Sequence, residues 1–415
     1  KWYIISEKEC FAARCAAEDT MHNTVAVLED LFYVGASDRR LSLFENVYPV
    51  PRGASYNSYL LLDEKTALFD TVDHAVSEQF LENVEHVLGG RKLDYIVVHH
   101  MEPDHSSTLS EVLLRHPEAT VVCNQKMDGM LKNYGCCAGE RLLVKEGDEL
   151  STGRHTFKFV FAPMVHWPEV MMSFDLKTGA LFSADAFGTF GALGGSVWAD
   201  EVDFEHDFLD DARRYYINIV GKYGVQVQSV LKKAAGLDIK VLLPLHGPLW
   251  RENIGRFVEK YLTWSSYTPE EKGVLVVYGS IYGHTQNAAE IVASRIAQKG
   301  VKVKVYDASM TDTSVLVSEA FRYSHIVFAS ATYNNGIFVK MEEFLSDLKA
   351  HAFQNRAYAV VENGSWAPQA GALIEAELSS FKNMKKLGEK VTILSSVKEE
   401  TREKLLALAD LIAGD

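Results

Sequence analysis

What this 415-residue chain lacks narrows its class before anything it contains. Cysteine is scarce: Cys10, Cys15, Cys123, Cys136 and Cys137 are the five present, and no two are spaced as Cys-x-x-C. Four-cysteine iron sites and zinc ribbons of the usual spacing are thereby excluded. An odd, scattered set fits a reducing compartment, so a cytoplasmic location is expected. The adjacent Cys136 and Cys137 read as two ordinary thiols in a loop. No apolar run reaches the length of about 18 residues that a transmembrane helix needs. The opening Lys1-Trp2-Tyr3-Ile4-Ile5-Ser6 is not followed by the apolar core of a signal peptide. An excess of positive charge is missing as well. The 42 Lys and Arg against 56 Asp and Glu give a formal net charge of -14, which disfavours nucleic acid and anionic membranes as partners. Internal repeats and low-complexity tracts are absent.

What remains is an ordinary globular composition, 47% apolar and 24% charged, able to bury a large core without disulfides. The length suits two domains. Residues 1–22 carry no clear period and read as an N-terminal extension. Residues 23–268 open on short strands: Tyr59–Leu62 and Thr66–Phe69 across a polar turn suggest a hairpin. Ser77–Leu88 reads as an amphipathic helix with Phe80, Leu81, Val84, Val87 and Leu88 on one face. Tyr95–Val98 is a buried strand that runs straight into His99-His100. Hairpins followed by strands with interspersed helices fit a mixed two-sheet α/β sandwich. A polar break at Tyr267–Lys272 marks the boundary. Residues 269–415 then alternate strand and helix five times, with strands near Val274–Tyr278, Val301–Tyr306, His325–Ser330, Ala357–Val361 and Lys390–Ser395. That rhythm implies a doubly wound, five-stranded parallel sheet.

The strongest chemical signal is His100-Met101-Glu102-Pro103-Asp104-His105. Four potential ligands within six residues, fanned out at a strand's end, are able to hold two metal ions close together. His166 in Val-His-Trp-Pro, Asp185 in Ala-Asp-Ala-Phe-Gly and His246 in Leu-His-Gly-Pro each follow an apolar stretch and precede a turn, as ligands on loops beside a rigid sheet do. A lone His or Asp is usually structural, but seven in such contexts are not independent accidents. His74, His99 and His155 have no supporting pattern and are read as structural or exposed.

These residues resemble the metallo-β-lactamase superfamily, whose first motif is His-x-His-x-Asp-His. Glu102 in place of the second His resembles, more narrowly, the flavodiiron proteins. The resemblance implies that His100, Glu102, His166 and Asp185 bind one iron, that Asp104, His105, Asp185 and His246 bind the other, and that Asp185, with an oxo or hydroxo group, bridges them. It leaves the ligation by His105 open, because its counterpart is not a ligand in every member. Glu102 adds a hard oxygen donor and negative charge, which stabilises the higher iron oxidation state and favours iron over zinc.

In the second domain, strand Val274–Tyr278 leads through Gly279 into Ser280-Ile281-Tyr282-Gly283-His284-Thr285 and a helix. A Ser/Thr/Gly loop at a helix N-terminus cradles a phosphate with backbone N–H groups, hydroxyls and the helix dipole. It is neither a Walker A loop nor a Gly-x-Gly-x-x-Gly loop. Its pattern resembles the flavodoxin loop that encloses the FMN phosphate. Ser330-Ala331-Thr332-Tyr333-Asn334-Asn335-Gly336 and Asn363-Gly364-Ser365-Trp366 end the third and fourth strands, the edge where doubly wound sheets bind ligands. They resemble the loops that hold the isoalloxazine ring in flavodiiron proteins, with Ala331 where Pro is frequent and Ala367-Pro368 where Gly residues often follow the Trp.

The resemblance, which spans Thr24 to the C-terminus, implies an oxidoreductase that reduces dioxygen to water, nitric oxide to nitrous oxide, or both. FMN would feed the diiron site from an external donor such as rubredoxin, ferredoxin or reduced deazaflavin. It also implies a head-to-tail homodimer or dimer of dimers. The competing expectation is a binuclear zinc hydrolase fused to an electron-carrier flavodoxin domain.

Overall fold

The computed structural model describes residues 22–136 and 139–415. Most of the expected N-terminal extension, and Cys137 of the vicinal pair, lie outside the described residues. Packing divides the chain into two units, one running up to Ala212 and taking in Ser229–Phe257, the other comprising Arg213–Gln228 and Val258–Asp415.

The first unit is built on two sheets. One has seven strands in the order Val25–Ala26, Leu31–Tyr33, Tyr59–Leu62, Thr66–Phe69, Tyr95–Val97, Thr120–Cys123 and Glu140–Leu143. The expected hairpin pairs Leu62 with Thr66. Antiparallel pairing gives way to parallel from Thr66–Phe69 onward. The other sheet has five strands, Glu149–Ser151, Thr156–Phe161, Met171–Asp175, Ala180–Phe182 and Val241–Leu243. The sheets meet face to face through aromatic rings: Phe69 stands 4.1 Å from Phe182 and 4.9 Å from Phe157, centroid to centroid. The expected helix forms at Ser77–Leu88, turns in Phe80, Leu81, Val84 and Leu88, and ends at Gly89, whose φ of 54° is the left-handed cap conformation that glycine adopts most readily.

In the second unit the parallel sheet runs Val303–Asp307, Glu271–Gly279, Tyr323–Tyr333, Ala357–Asn363, and then a fifth strand in two pieces, Lys385–Lys386 and Val391–Ile393. In chain order this is 2-1-3-4-5, the flavodoxin-like arrangement, with its ligand crevice at the C-terminal strand ends. Between the strands lie helices His284–Gln298, Thr313–Arg322, Val339–Ala350 and Ala370–Leu378, and Glu399–Gly414 follows the last. The strand Glu271–Gly279 begins inside the polar stretch read as a break. Glu270 just before it is gripped by Arg213 at 2.5 Å, Lys260 at 2.5 Å and the Trp264 indole at 3.1 Å. These partners hold its carboxyl at about 2 against the opposing effect of burial. Segment 213–228 therefore packs with the second unit although it lies far upstream in sequence. No helix among the described residues is long and apolar enough to cross a membrane.

Candidate metal centre and flavin crevice

Strand Tyr95–Val97 delivers His99 and His100 to the end of the sandwich. Pro103, as the first residue of a one-turn helix, Pro103–Ser106, turns the chain so that Asp104 and His105 come back over the same spot. His166, Asp185 and His246 arrive on the loops that follow strands Thr156–Phe161, Ala180–Phe182 and Val241–Leu243. The seven residues converge as two groups, His100 with Glu102, His166 and Asp185, and Asp104 with His105 and His246.

Asp185 joins the groups through separate oxygens. Its Oδ2 lies 3.3 Å from His100 Nε2 and 3.1 Å from His166 Nε2. Its Oδ1 lies 3.2 Å from His105 Nε2 and 3.6 Å from His246 Nε2. Glu102 Oε2 is 3.2 Å from His100 and 3.1 Å from His166. Asp104 Oδ2 is 3.4 Å from His105 and 3.3 Å from His246. A cation held about 2.1 Å from each donor sets neighbouring donors about 3.0 Å apart at right angles and about 3.4 Å apart in a tetrahedron. The observed edges fall around those values.

The hydrogen-bond inventory calls for cations as well. His246 Nδ1 lies 2.7 Å from the Ser55 carbonyl, and His100 Nδ1 lies 2.8 Å from Glu169 Oε1, so each places its proton there and presents an Nε2 lone pair to the centre. His246 Nε2 and His105 Nε2 face each other at 2.9 Å. Both oxygens of Asp104 and Oδ1 of Asp185 are buried and receive no hydrogen bond among the described residues. Convergent lone pairs and donorless carboxylate oxygens are what two cations would satisfy. Without metal, burial drives the histidines toward neutrality, but the carboxylates prevail. His166 is pushed up to about 9 by Asp185 and Glu102, His105 is raised by Asp104 and Asp185, and His100 is raised well above the usual imidazole value.

The centre is closed except on one side. The side chains of His100, His105, His246 and Asp185 are at most 1% exposed, whereas Glu102 keeps 14% and Asp104 12%. Glu45 stands at this mouth in a tight turn with φ of 49°. Burial of its carboxyl end, then Glu102 and Asp104, push it up to about 8, with His166 pulling the other way. Phe44, Tyr56 and Trp167 wall the centre, with rings 5.3 and 5.7 Å from His246 and 5.2 Å from His100.

Three groups around the site escaped the sequence reading. Glu45 and Tyr56 carry no local signal. Glu169, three residues after His166, was legible only through the rule that a metal-bound imidazole is backed by a carboxylate. Of the unassigned histidines, His74 is exposed. His99 is buried between Asp70 at 2.5 Å and Ser173 at 2.7 Å, and His155 between Asp175 at 2.8 Å and Asp30 at 3.0 Å. All three stay outside the centre.

In the second unit a cavity of about 820 Å³ opens at the C-terminal strand ends. Ser280, Ile281, Tyr282, His284 and Thr285 line it from the first loop, Ala331, Thr332, Tyr333, Asn334 and Asn335 from the second, and Asn363, Gly364, Ser365 and Trp366 from the third. Three residues expected there, Gly283, Ser330 and Gly336, stand beside this lining. Gly283 caps helix His284–Gln298 with φ of 88°, and its N–H donates to Ser280 Oγ at 3.1 Å. Ser330 Oγ is fully buried, accepting from Phe338 N and donating to the Ala331 carbonyl. Gly336 begins the two-residue strand Gly336–Ile337. Ala367 and Ser395 join the lining. The departure at Pro368 is accommodated by Gly364, where a Cβ would stand 2.8 Å from Pro368 Cα. Among the described residues no Lys or Arg lines the cavity, so a bound phosphate would be met by neutral donors and the helix dipole.

Comparison with known proteins agrees with both units. Residues 54–247 match the family described as "ODP family beta lactamase", and residues 276–405 match "Flavodoxin". The chain is 31% identical over 363 residues to the anaerobic nitric oxide reductase flavorubredoxin of Vibrio vulnificus, covering 86% of this chain and 73% of that one. This chain belongs to the flavodiiron proteins. A nitric oxide reductase of Moorella thermoacetica is 29% identical over 366 residues, covering 87% of this chain and 91% of that one. The structure of rubredoxin oxygen:oxidoreductase from Desulfovibrio gigas superposes with a TM-score of 0.88 at 26% identity, over 94% of this chain and 98% of that one. The flavodiiron protein of Giardia intestinalis gives 0.86 at 26%, over 94% and 96%. The metallo-β-lactamase-like sandwich and the flavodoxin-like sheet expected from sequence are both present. As a flavodiiron protein the chain is an oxidoreductase whose cofactors are FMN and a pair of irons.

Proposed function

We propose that this flavodiiron protein reduces dioxygen to water and accepts nitric oxide at the same centre, giving nitrous oxide. The observation that carries the proposal is the sharing of Asp185, one carboxylate oxygen to each ligand group. When bound, the iron pair supplies Lewis acidity and two electrons, and reduced FMN two more, enough for the four that dioxygen takes up and more than the two needed by a pair of nitric oxide molecules. His100, Glu102, His166 and Asp185 would hold one iron, and Asp104, His105, His246 and Asp185 the other. Phe44, Tyr56 and Trp167 exclude water from the histidine side, which suits a small uncharged gas. Ser280–Thr285 would hold the FMN phosphate, and Asn334, Asn335 and Gly364 line the crevice where the ring would lie. Zinc hydrolysis would leave the flavin crevice without a role.

Electrons enter from an external donor such as rubredoxin, ferredoxin or reduced deazaflavin. In a head-to-tail homodimer the flavin of one copy serves the irons of the other. The exposure of Tyr282 (90%) and Trp366 (89%) beside the flavin crevice supports this arrangement. The test is anaerobic: photoreduced, iron-loaded protein is mixed with dioxygen or nitric oxide and flavin reoxidation is followed. Oxidation should be fast with at least one gas and slow in His246→Asn. Equal rates in the two proteins refute the proposal, and two zinc ions without iron restore the hydrolase reading.

A further inference from the structure

The two ligand groups are matched in donor count but not in what stands behind their imidazoles. Behind His100 is a carboxylate: Glu169 Oε1 accepts from His100 Nδ1 at 2.8 Å and from the Met101 N–H at 3.1 Å. Behind His246 is a neutral carbonyl, that of Ser55, at 2.7 Å. His105 Nδ1 is buried without a hydrogen-bond partner among the described residues.

Glu169 is an unusual carboxylate. Its side chain is fully buried, and among the described residues the only ion-pairing group it meets is His100. Its second oxygen, Oε2, receives no hydrogen bond. A buried carboxylate keeps its charge only against a countercharge, because burying the charge without one costs several kcal/mol. Among the described residues that countercharge is not a Lys or Arg; it would be the His100 imidazole and a metal ion on the far side of its ring. The carboxylate is also held still. Asn124, which caps helix Gln125–Asn133, donates its Nδ2 to the Glu169 carbonyl at 2.6 Å, and Lys126 Nζ donates to the Pro168 carbonyl at 3.0 Å. The loop that carries His166 thus carries the group that orients His100 as well.

On the ligand assignment proposed above, we infer that Glu169 makes the two irons unequal, reserving the His100/His166 position for the ferric ion in the one-electron-reduced enzyme. The physical reason is direct. Negative charge passed through an imidazole stabilises the higher metal charge more than the lower one, and the effect falls on the one iron that His100 binds. The first electron added to the diferric centre therefore goes to the iron held by Asp104, His105 and His246. The second goes, at lower potential, to the iron held by His100, Glu102 and His166. Glu169 acts through His100 and is a positioning and tuning residue, not a catalytic one.

The test compares Glu169→Gln with the parent by metal analysis, Mössbauer spectroscopy of the half-reduced state and redox titration of the two one-electron steps. Gln keeps the size and the acceptor but removes the charge. Loss of a group behind a ligand changes metal affinity about 10- to 100-fold. A tenfold loss confined to the ferric form corresponds to about 59 mV for one electron. The lower potential should rise by about that amount while the higher one stays, narrowing the gap. Two irons retained with neither potential moved, or both moved equally, overturns the inference while leaving the diiron assignment intact. Failure of the parent to bind two irons overturns the assignment itself. A second measurement needs no variant. Parent protein loaded with one Ga(III), standing for ferric iron, and one Zn(II), standing for ferrous iron, is examined by anomalous scattering at the two absorption edges. Gallium at the His100/His166 position supports the inference; gallium at the other position, or spread evenly, refutes it.

Discussion

Replacing Gly247 by alanine should cost the protein both stability and metal, for two separable reasons. Gly247 follows the ligand His246 with φ of 74°, and a Cβ there would lie 2.0 Å from Thr189 Cγ2. Its N–H donates to Ser55 Oγ at 2.7 Å, and its carbonyl accepts from Asn57 Nδ2 at 2.9 Å, so the residue cannot shift without disturbing the contacts that aim His246. The left-handed backbone costs an L-residue about 1–2 kcal/mol. Forcing a methyl into occupied space costs about 1–3 kcal/mol. Together they amount to about 2–5 kcal/mol, which at about 2–4 °C per kcal/mol for a unit of roughly 150–250 residues is a fall in Tm of about 10 °C. Iron analysis should show loss at the position His246 serves. The double variant Gly247→Ala/Thr189→Ser removes the clashing Cγ2 but not the backbone penalty, so about half of the Tm should return, with metal content recovering in parallel. Calorimetry and iron analysis on the three proteins decide it. A Gly247→Ala protein that keeps two irons and an unchanged Tm refutes the reasoning, as does a double variant that recovers nothing.

Asp185→Asn should empty both metal positions, because each group draws on a different oxygen of that carboxylate; iron content falling by only one equivalent would contradict the bridge. Ser280→Ala should weaken FMN binding about fivefold, the worth of roughly one hydrogen bond, and leave the iron content unchanged, as read by flavin fluorescence and metal analysis. In metal-free protein His166 is raised from its usual 6.5 to about 9. A raised folded-state value stabilises below the unfolded pKa and is lost as pH rises through the folded one. Glu45, raised from 4.5 to about 8, likewise loses stability as pH rises through its window. The Tm of metal-free protein should therefore drop between pH 6.5 and pH 9.5. Iron-loaded protein should lose the His166 part of that drop, because its ligands bind metal in their deprotonated forms. Parallel pH curves for the two would argue against protonated histidines in the metal-free centre.

Much of the site was legible because ligands in this fold sit at strand ends, and a strand end shows in sequence as an apolar run meeting a turn. His100–His105, His166, Asp185 and His246 all have that form, and the flavin loops do too. The βα rhythm after Tyr267 was equally plain, since strand and helix periods differ and five repeats leave little ambiguity. Segment 213–228 was not legible as part of the second unit. Its membership depends on partners such as Glu270, which is 57 positions away from Arg213, and no local period reports a contact of that span.

The amino-acid sequence by itself therefore determined the chemistry: which donors exist, that they are enough for two metals, and that a neutral phosphate loop opens the second domain. The sharing of the donors was implied only by resemblance, and the tertiary structure gave it a geometry. Asp185 stood out along the chain as a candidate ligand, but only folding brings its two oxygens within 3.6 Å of four imidazoles. Glu169 is an unremarkable acid until folding buries it behind His100 with no other countercharge among the described residues. Residue type and local order are written along the chain. Distance, burial and the pairing of charges across the sandwich arise only when the sheets close.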